Sequence, residues 1–140
     1  MKGGHEVKRI IAALLLFSVL LCSCGRGGNA DLAVTVRVDS TVYDERDIDS
    51  AIEVACDYFE RHFDGCTLTS IAYAGDEKNA DFADRAEQYG GREVIVLTSS
   101  FLTGSEAGDG SLNPNDVYTG WLWILVRGVS GGWHHADHGY

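Results

Sequence analysis

Six consecutive apolar residues near the C-terminus constrain the fold more than any other feature of this sequence. They run from Trp121 to Val126, inside a longer stretch with strand composition, Tyr118 to Arg127. Successive side chains of a strand point to opposite faces, so a strand that is apolar at every position must be covered on both sides. The run therefore predicts a central strand, with Trp121 and Trp123 on the same face.

The remaining segments predict an α+β domain around that strand. A first helix is expected from Glu45 to Phe63, with Asp44 as its N-cap, and a short second helix from Asn79 to Tyr89. The last three strands would form a C-terminal antiparallel meander within one curved sheet. The predicted strands are Leu32–Asp39, Thr67–Tyr73, Glu93–Leu102, Tyr118–Arg127 and Trp133–Tyr140.

The first predicted strand alternates apolar residues with small or polar ones. Leu32, Val34, Val36 and Val38 occupy every second position. A period of two is typical of a strand with one buried face. The pattern therefore predicts that these four side chains lie in the core.

The N-terminus has the order of a signal peptide. Three basic residues precede an apolar run, Ile10 to Leu21, whose 12 residues are fewer than the roughly 20 that a membrane-spanning helix needs. The run ends in Leu21-Cys22-Ser23-Cys24, which resembles the lipobox of bacterial lipoprotein precursors. The resemblance implies cleavage before Cys24 and a diacylglycerol on its thiol. An ordinary cleaved signal peptide is the alternative.

This processing would divide the chain into a signal peptide at residues 1–23, a lipidated cysteine with a flexible glycine-rich tether at residues 24–30, and a single α+β domain at residues 31–140. The formal net charge of −10 would become −12, because three basic residues and one acidic residue are removed. A chain this acidic, with no basic cluster, is not expected to bind nucleic acid. Its expected partner is the membrane, through the lipid anchor on the extracytoplasmic face.

Four blocks of the domain carry a resemblance to known sequences: Val94–Phe101, Gly108–Asn115, Tyr118–Arg127 and Trp133–Tyr140. They resemble one protein family, a group of uncharacterised Gram-positive lipoproteins that share a domain of unknown function. The resemblance spans about Tyr43 to Tyr140, and the chain departs from the family pattern at Leu122, where a polar residue usually separates the two tryptophans. It implies an NTF2-like (cystatin-like) cone and brings no activity with it.

Four residues form a candidate pocket: Trp121, Trp123, His135 and Asp137. In a cone the tryptophans could line a ligand site, and the alternative is that they fill the core. Strand alternation places His135 and Asp137 on one face, where either could act as a base. Because no second acid, oxyanion donor or nucleophile motif accompanies them, no catalytic residue is predicted.

No cofactor and no metal site is predicted. His134 and His138 would share a strand face about 13 Å apart, too far for one metal ion. The loop Thr103–Asp116 superficially resembles a calcium loop, but it lacks the glycine and glutamate that an EF-hand needs. Cys56 and Cys66 are expected to be buried thiols, with a disulfide between them as the alternative.

Together these features predict a membrane-anchored lipoprotein of the cell envelope whose domain is a non-catalytic binding or interaction module. Its ligand would be an unknown protein or small molecule. A small-molecule pocket protein is one alternative, and an isomerase-type or hydrolase-type enzyme is a more distant one.

Overall fold

A computed structural model describes residues 27–107 and 110–140, so the predicted signal peptide and Cys24 lie outside the described residues, as do Gly108 and Asp109. The described part contains three helices and five strands. The helices are α1 (Glu45–His62), α2 (Asp76–Ala80) and α3 (Arg85–Gln88), and the strands are β1 (Val34–Val36), β2 (Cys66–Tyr73), β3 (Glu93–Thr103), β4 (Val117–Arg127) and β5 (His134–Gly139).

The five strands form one curved sheet in the order β1-β2-β3-β4-β5. The pairs β2–β3, β3–β4 and β4–β5 are antiparallel, and β1 pairs with β2 in parallel. The predicted α+β class and the C-terminal meander are confirmed. The sheet separates two apolar cores, one on each of its faces.

The inner core lies between α1 and the sheet, and the outer core lies between the sheet and the two short helices. Trp123 and Leu125 of β4 belong to the inner core, whereas Ile124 and Val126 belong to the outer core. All four side chains are almost fully buried. The prediction that β4 is covered on both faces is therefore confirmed.

Helix α1 begins and ends close to its predicted bounds. The side chain of Asp44 accepts a hydrogen bond from the backbone N–H of Asp47 at 2.9 Å, as an N-cap should. The carboxylate of Asp47 pairs with Arg127 of β4, and its carbonyl accepts the indole N–H of Trp133 at 3.1 Å. These contacts hold the N-terminal end of α1 against the sheet.

The second predicted helix is wrong in its bounds, because two short helices and a turn replace it. The buried amide of Asn79 is the physical reason. It donates to the carbonyl of Val94 at 3.2 Å and accepts the N–H of Val96 at 2.9 Å. The bonds fix the end of α2 to β3, and the chain turns before α3 places Ala86 in the outer core.

The first strand does not bury its apolar residues, so that prediction is wrong. Val34 is 62% exposed and Val36 is 48% exposed. The residues that alternate with the valines face α1 instead. Ala33 packs against the inner core, and Arg37 forms ion pairs with acidic residues of α1. The valines therefore lie on the opposite face of this edge strand, where the two short helices do not cover them.

Part of the predicted flexible tether is docked on the domain. The N–H of Gly28 donates to the carbonyl of Glu60 at 3.0 Å, and Asn29 exchanges backbone hydrogen bonds with Cys66 and Leu68 of β2. A Cβ atom on Gly28 would lie 2.7 Å from the ring of Phe59. Glycines in this segment suggested flexibility, but their lack of a side chain instead permits close contact between backbones. The expectation of a free tether is therefore wrong for residues 27–30.

Both cysteines of the domain are free thiols, as predicted, and the alternative disulfide is not formed. Cys66 is buried, while Cys56 is only half-buried, beside the inner core. Burial, with help from neighbouring Glu60 and Asp57, raises the pKa of Cys56 to about 11. Neither cysteine is therefore a reactive thiolate at neutral pH.

Candidate functional site

A cleft of about 470 Å³ opens at the C-terminal end of α1. One wall is the last turn of the helix, and the other is formed by β4, β5 and the loop that follows β3. Its volume lies within the range of small-molecule sites, about 300–1,000 Å³. The lining residues are Tyr58, His62, Phe63, Asp64, Ser111, Leu112, Trp121 and His138.

A β-bulge in β5 decides which side chains face this cleft. Asp137 is opposite Ile124 of β4, but the adjacent Leu125 is opposite His135, so Ala136 is the extra residue. The bulge places His135 and His138 together on the α1 side of the sheet and leaves Asp137 on the other side. The prediction that His135 and Asp137 share a face is therefore wrong.

The two histidines form a hydrogen-bonded pair in which His138 lines the cleft and His135 lies behind it. Nε2 of His135 lies 2.9 Å from Nδ1 of His138. The ring of His135 also stacks on Tyr58, with a centroid distance of 3.7 Å and an interplanar angle of 16°. The other side of Tyr58 contacts His62 at a centroid distance of 4.2 Å. These four rings form one aromatic cluster beside the cleft.

The histidine pair is uncharged at neutral pH. Burial, together with the nearby His138 and His62, lowers the pKa of His135 to about 4. The pKa of His138 is also lowered, mainly by burial. One ring therefore donates and the other accepts in the hydrogen bond between them, and neither adds positive charge to the cleft.

The two candidate tryptophans have different environments. Trp123 is fully buried in the inner core, and its Nε1–H donates to the hydroxyl of Ser99 at 2.9 Å. Trp121 lines the cleft beside Phe63 and His138. Its Nε1–H is covered from solvent and has no hydrogen-bond acceptor within the described part of the chain. Trp123 is thus a core residue, whereas Trp121 belongs to the site.

Asp137 lies on the opposite face of the sheet from the cleft. One of its carboxylate oxygens accepts the hydroxyl of Tyr89 at 2.8 Å, and the other accepts the backbone N–H of His138 at 2.9 Å. The hydrogen bond from Tyr89 is the main reason that the pKa of Asp137 is lowered. The carboxylate fastens α3 to β5 and is not available as a base in the cleft.

Sequence reasoning did not identify the helical half of the site. Tyr58 and His62 lie one turn apart, and Phe63 and Asp64 follow directly at the end of the helix. His62 is exposed. The available signal was the clustering of aromatic side chains over the last two turns of α1, beside its apolar stripe.

Neither a metal site nor a calcium loop is assembled by the residues that the structure describes. No group of three or more histidine, cysteine, aspartate or glutamate side chains is close enough to hold an ion there. In the loop after β3, Thr103 accepts from the N–H of Asp116 at 2.8 Å and donates to the carbonyl of Asn113 at 2.6 Å. These oxygens serve the turn itself, while Asp109 lies outside the described residues.

No protein-family model, curated protein or solved structure matches the chain. The chemistry of the cleft must therefore be inferred from its own residues. They offer aromatic surfaces and one carboxylate, at Asp64. Such a set can hold a small ligand by contact and charge.

Proposed function

We propose that this chain is a membrane-anchored extracytoplasmic lipoprotein, and that its domain binds a small ligand in the cleft at the C-terminal end of α1 without acting on it chemically. The anchor is the lipid implied for Cys24. The finer fold that we propose is the NTF2-like cone. It is supported by the long helix α1, which packs along one face of a curved and mainly antiparallel sheet.

The position of the cleft relative to the docked N-terminal segment carries this proposal. Asp64 lines the cleft, and the next residue, Gly65, donates its N–H to the carbonyl of Gly27 at 3.3 Å. Three peptide steps separate Gly27 from Cys24, and they span at most about 11 Å. A lipid on Cys24 would therefore hold the cleft end of the domain close to the membrane surface.

The arrangement of titratable groups supports binding over catalysis. An acid–base enzyme needs a base within reach of its substrate and commonly a second group that orients that base. Here the uncharged pair His135 and His138 has Asp137 behind the sheet, where its carboxylate is used by Tyr89. Asp64, the acidic residue that lines the cleft, is exposed. Within the described residues these groups do not form an acid–base pair.

Replacement of Cys24 tests the anchoring part of the proposal. In a bacterial host that processes lipoproteins, Cys24→Ala should abolish labelling by an alkyne fatty acid and leave the protein unprocessed or released from membranes. Cys22→Ala is the matched control, because it removes a cysteine two residues earlier and should leave labelling intact. A mature, labelled and membrane-bound Cys24→Ala protein would refute the assignment.

A further inference from the structure

The cleft has an aromatic wall made by both sides of the fold. On the helix side Tyr58 contacts His62, and on the sheet side Trp121 lies 5.8 Å from His138 between ring centroids. Phe63 joins the two sides, because its ring lies 5.3 Å from His138 and 6.1 Å from Trp121. Aromatic faces carry negative electrostatic potential and attract cations, most strongly for tryptophan.

The formal charge at the cleft is also negative. Asp64 is the charged residue among the described residues that line it, and neither a lysine nor an arginine is among them. The chain as a whole carries a formal net charge of −10. Both the local and the overall field therefore favour a positively charged ligand over an anionic one.

We propose that the cleft binds an alkylammonium ion, the chemistry found in choline and in the headgroups of zwitterionic lipids. This inference rests on the proposed binding function and adds the chemical class of the ligand. The ammonium group contacts the aromatic wall near Asp64. Because the cleft lies at the anchored end of the domain, the same group can come from a free molecule or from the membrane surface.

Comparing choline with its uncharged carbon isostere, 3,3-dimethylbutan-1-ol, tests whether the cleft prefers a cation or binds any ligand of this shape. Each probe is titrated into the mature lipidated protein in nonionic detergent, and binding is followed by NMR shifts and tryptophan fluorescence. The titration extends to about 50 mM, because a cation held mainly by aromatic contacts binds weakly. Choline should bind at least about tenfold more tightly, which corresponds to about 1.4 kcal/mol.

Equal or tighter binding of the uncharged isostere would overturn the cation assignment but leave the cleft as a ligand site. Failure of both probes to bind would overturn the cation assignment and remove the support for a ligand site. Anchoring is tested separately by the Cys24 variants, so the failures are distinguishable.

Two charge-removing variants locate the binding. Asp64→Asn should weaken choline binding severalfold and leave the affinity for the isostere unchanged. Asp39→Asn is the matched control, since it removes the same charge from an exposed position before the opposite end of α1. Equal weakening by both variants would show a bulk charge effect and refute a site at Asp64. Trp121→Leu should weaken both probes, and circular dichroism checks that each variant is folded.

Vesicles distinguish the two sources of the ammonium group. The lipidated protein is placed in phosphatidylcholine or phosphatidylglycerol vesicles, and free choline is titrated into each. A headgroup that occupies the cleft would raise the apparent dissociation constant of choline in phosphatidylcholine vesicles alone. Equal constants would assign the site to a free cation. Loss of choline binding in both would contradict the proposal.

Discussion

His135 and His138 share a hydrogen bond of 2.9 Å between ring nitrogens, although they are three residues apart on one strand. Residues with this spacing face opposite sides of a regular strand. The extra residue of the bulge, Ala136, shifts the alternation by one position, so both rings lie on the same face of the sheet. There they contact Tyr58 and Trp123. The uncharged histidine pair is thereby fixed beside the cleft, which His138 lines.

Acid should destabilise the protein through this pair. The unfolded chain binds a proton on His135 near its ordinary pKa of 6.5, whereas the folded chain does so only near 4. Between these values the unfolded state holds more protons, so the free energy of unfolding falls as the pH drops from about 6.5 to about 4. The contribution is on the order of 2 kcal/mol, reduced for partial solvent access.

The matching measurement is urea unfolding at several pH values between 7 and 5, a range that avoids most carboxylate titration. His135→Gln should show a shallower loss of unfolding free energy with acid than the unmodified protein. His134→Gln, which removes an exposed histidine from the same strand, is the control. An unchanged slope in His135→Gln would refute the role of this ring.

Gly28→Ala should destabilise the domain by about 1–3 kcal/mol, because the new Cβ atom would lie 2.6 Å from the carbonyl oxygen of Phe59 and 2.7 Å from its ring. Thermal or urea unfolding measures the change. Gly132→Ala is the control, since a Cβ atom there meets no other atom within 4 Å. A neutral Gly28→Ala would mean that residues 27–30 are not docked on the domain.

Ser99→Ala should lower the free energy of unfolding by about 1–3 kcal/mol. The substitution leaves the indole N–H of Trp123 buried without an acceptor, and both residues are almost completely inaccessible. Ser50→Ala removes an exposed hydroxyl from α1 and should change stability by less than about 0.5 kcal/mol. Equal effects of the two variants in urea unfolding would contradict this environment for Trp123.

Replacing exposed valines of β1 should matter little. Val34→Thr and Val36→Thr should each change the free energy of unfolding by less than about 0.5 kcal/mol, because both side chains are largely exposed. Ile71→Ala on the neighbouring strand, where the side chain is 1% exposed, should cost about 2–5 kcal/mol. A loss above about 1 kcal/mol for either threonine variant would show that the valines are covered.

The main strands and α1 could be predicted because their signals are local. The run Trp121–Val126 indicates a strand covered on both faces wherever it is placed, and the cap at Asp44 marks the start of a helix. The face of β1 that packs against α1 could not be predicted. The alternation from Leu32 to Val38 does not show whether the apolar or the intervening residues meet α1. In the structure the positions that include Arg37 face α1, where Arg37 forms exposed ion pairs with Glu45 and Asp49.

The site was only partly predictable for the same reason. Trp121 was identified from the strand pattern. His135 was wrongly placed on the same face as Asp137, because the sequence gives no signal for the bulge at Ala136. The contribution of Tyr58 depends on where α1 ends relative to β5. Such contacts are tertiary, and they arise only when the helix and the sheet have packed together.

The orientation of the domain at the membrane tests the account most directly. Single cysteines replace Arg46 or Glu60, two exposed residues on α1 that lie about 21 Å apart along the helix. Each carries a fluorophore, and the lipidated protein is reconstituted in vesicles with a headgroup-attached quencher. The protein without an added cysteine reports any labelling of Cys56 and Cys66. The account predicts stronger quenching at residue 60 than at residue 46, and equal or reversed quenching would contradict it.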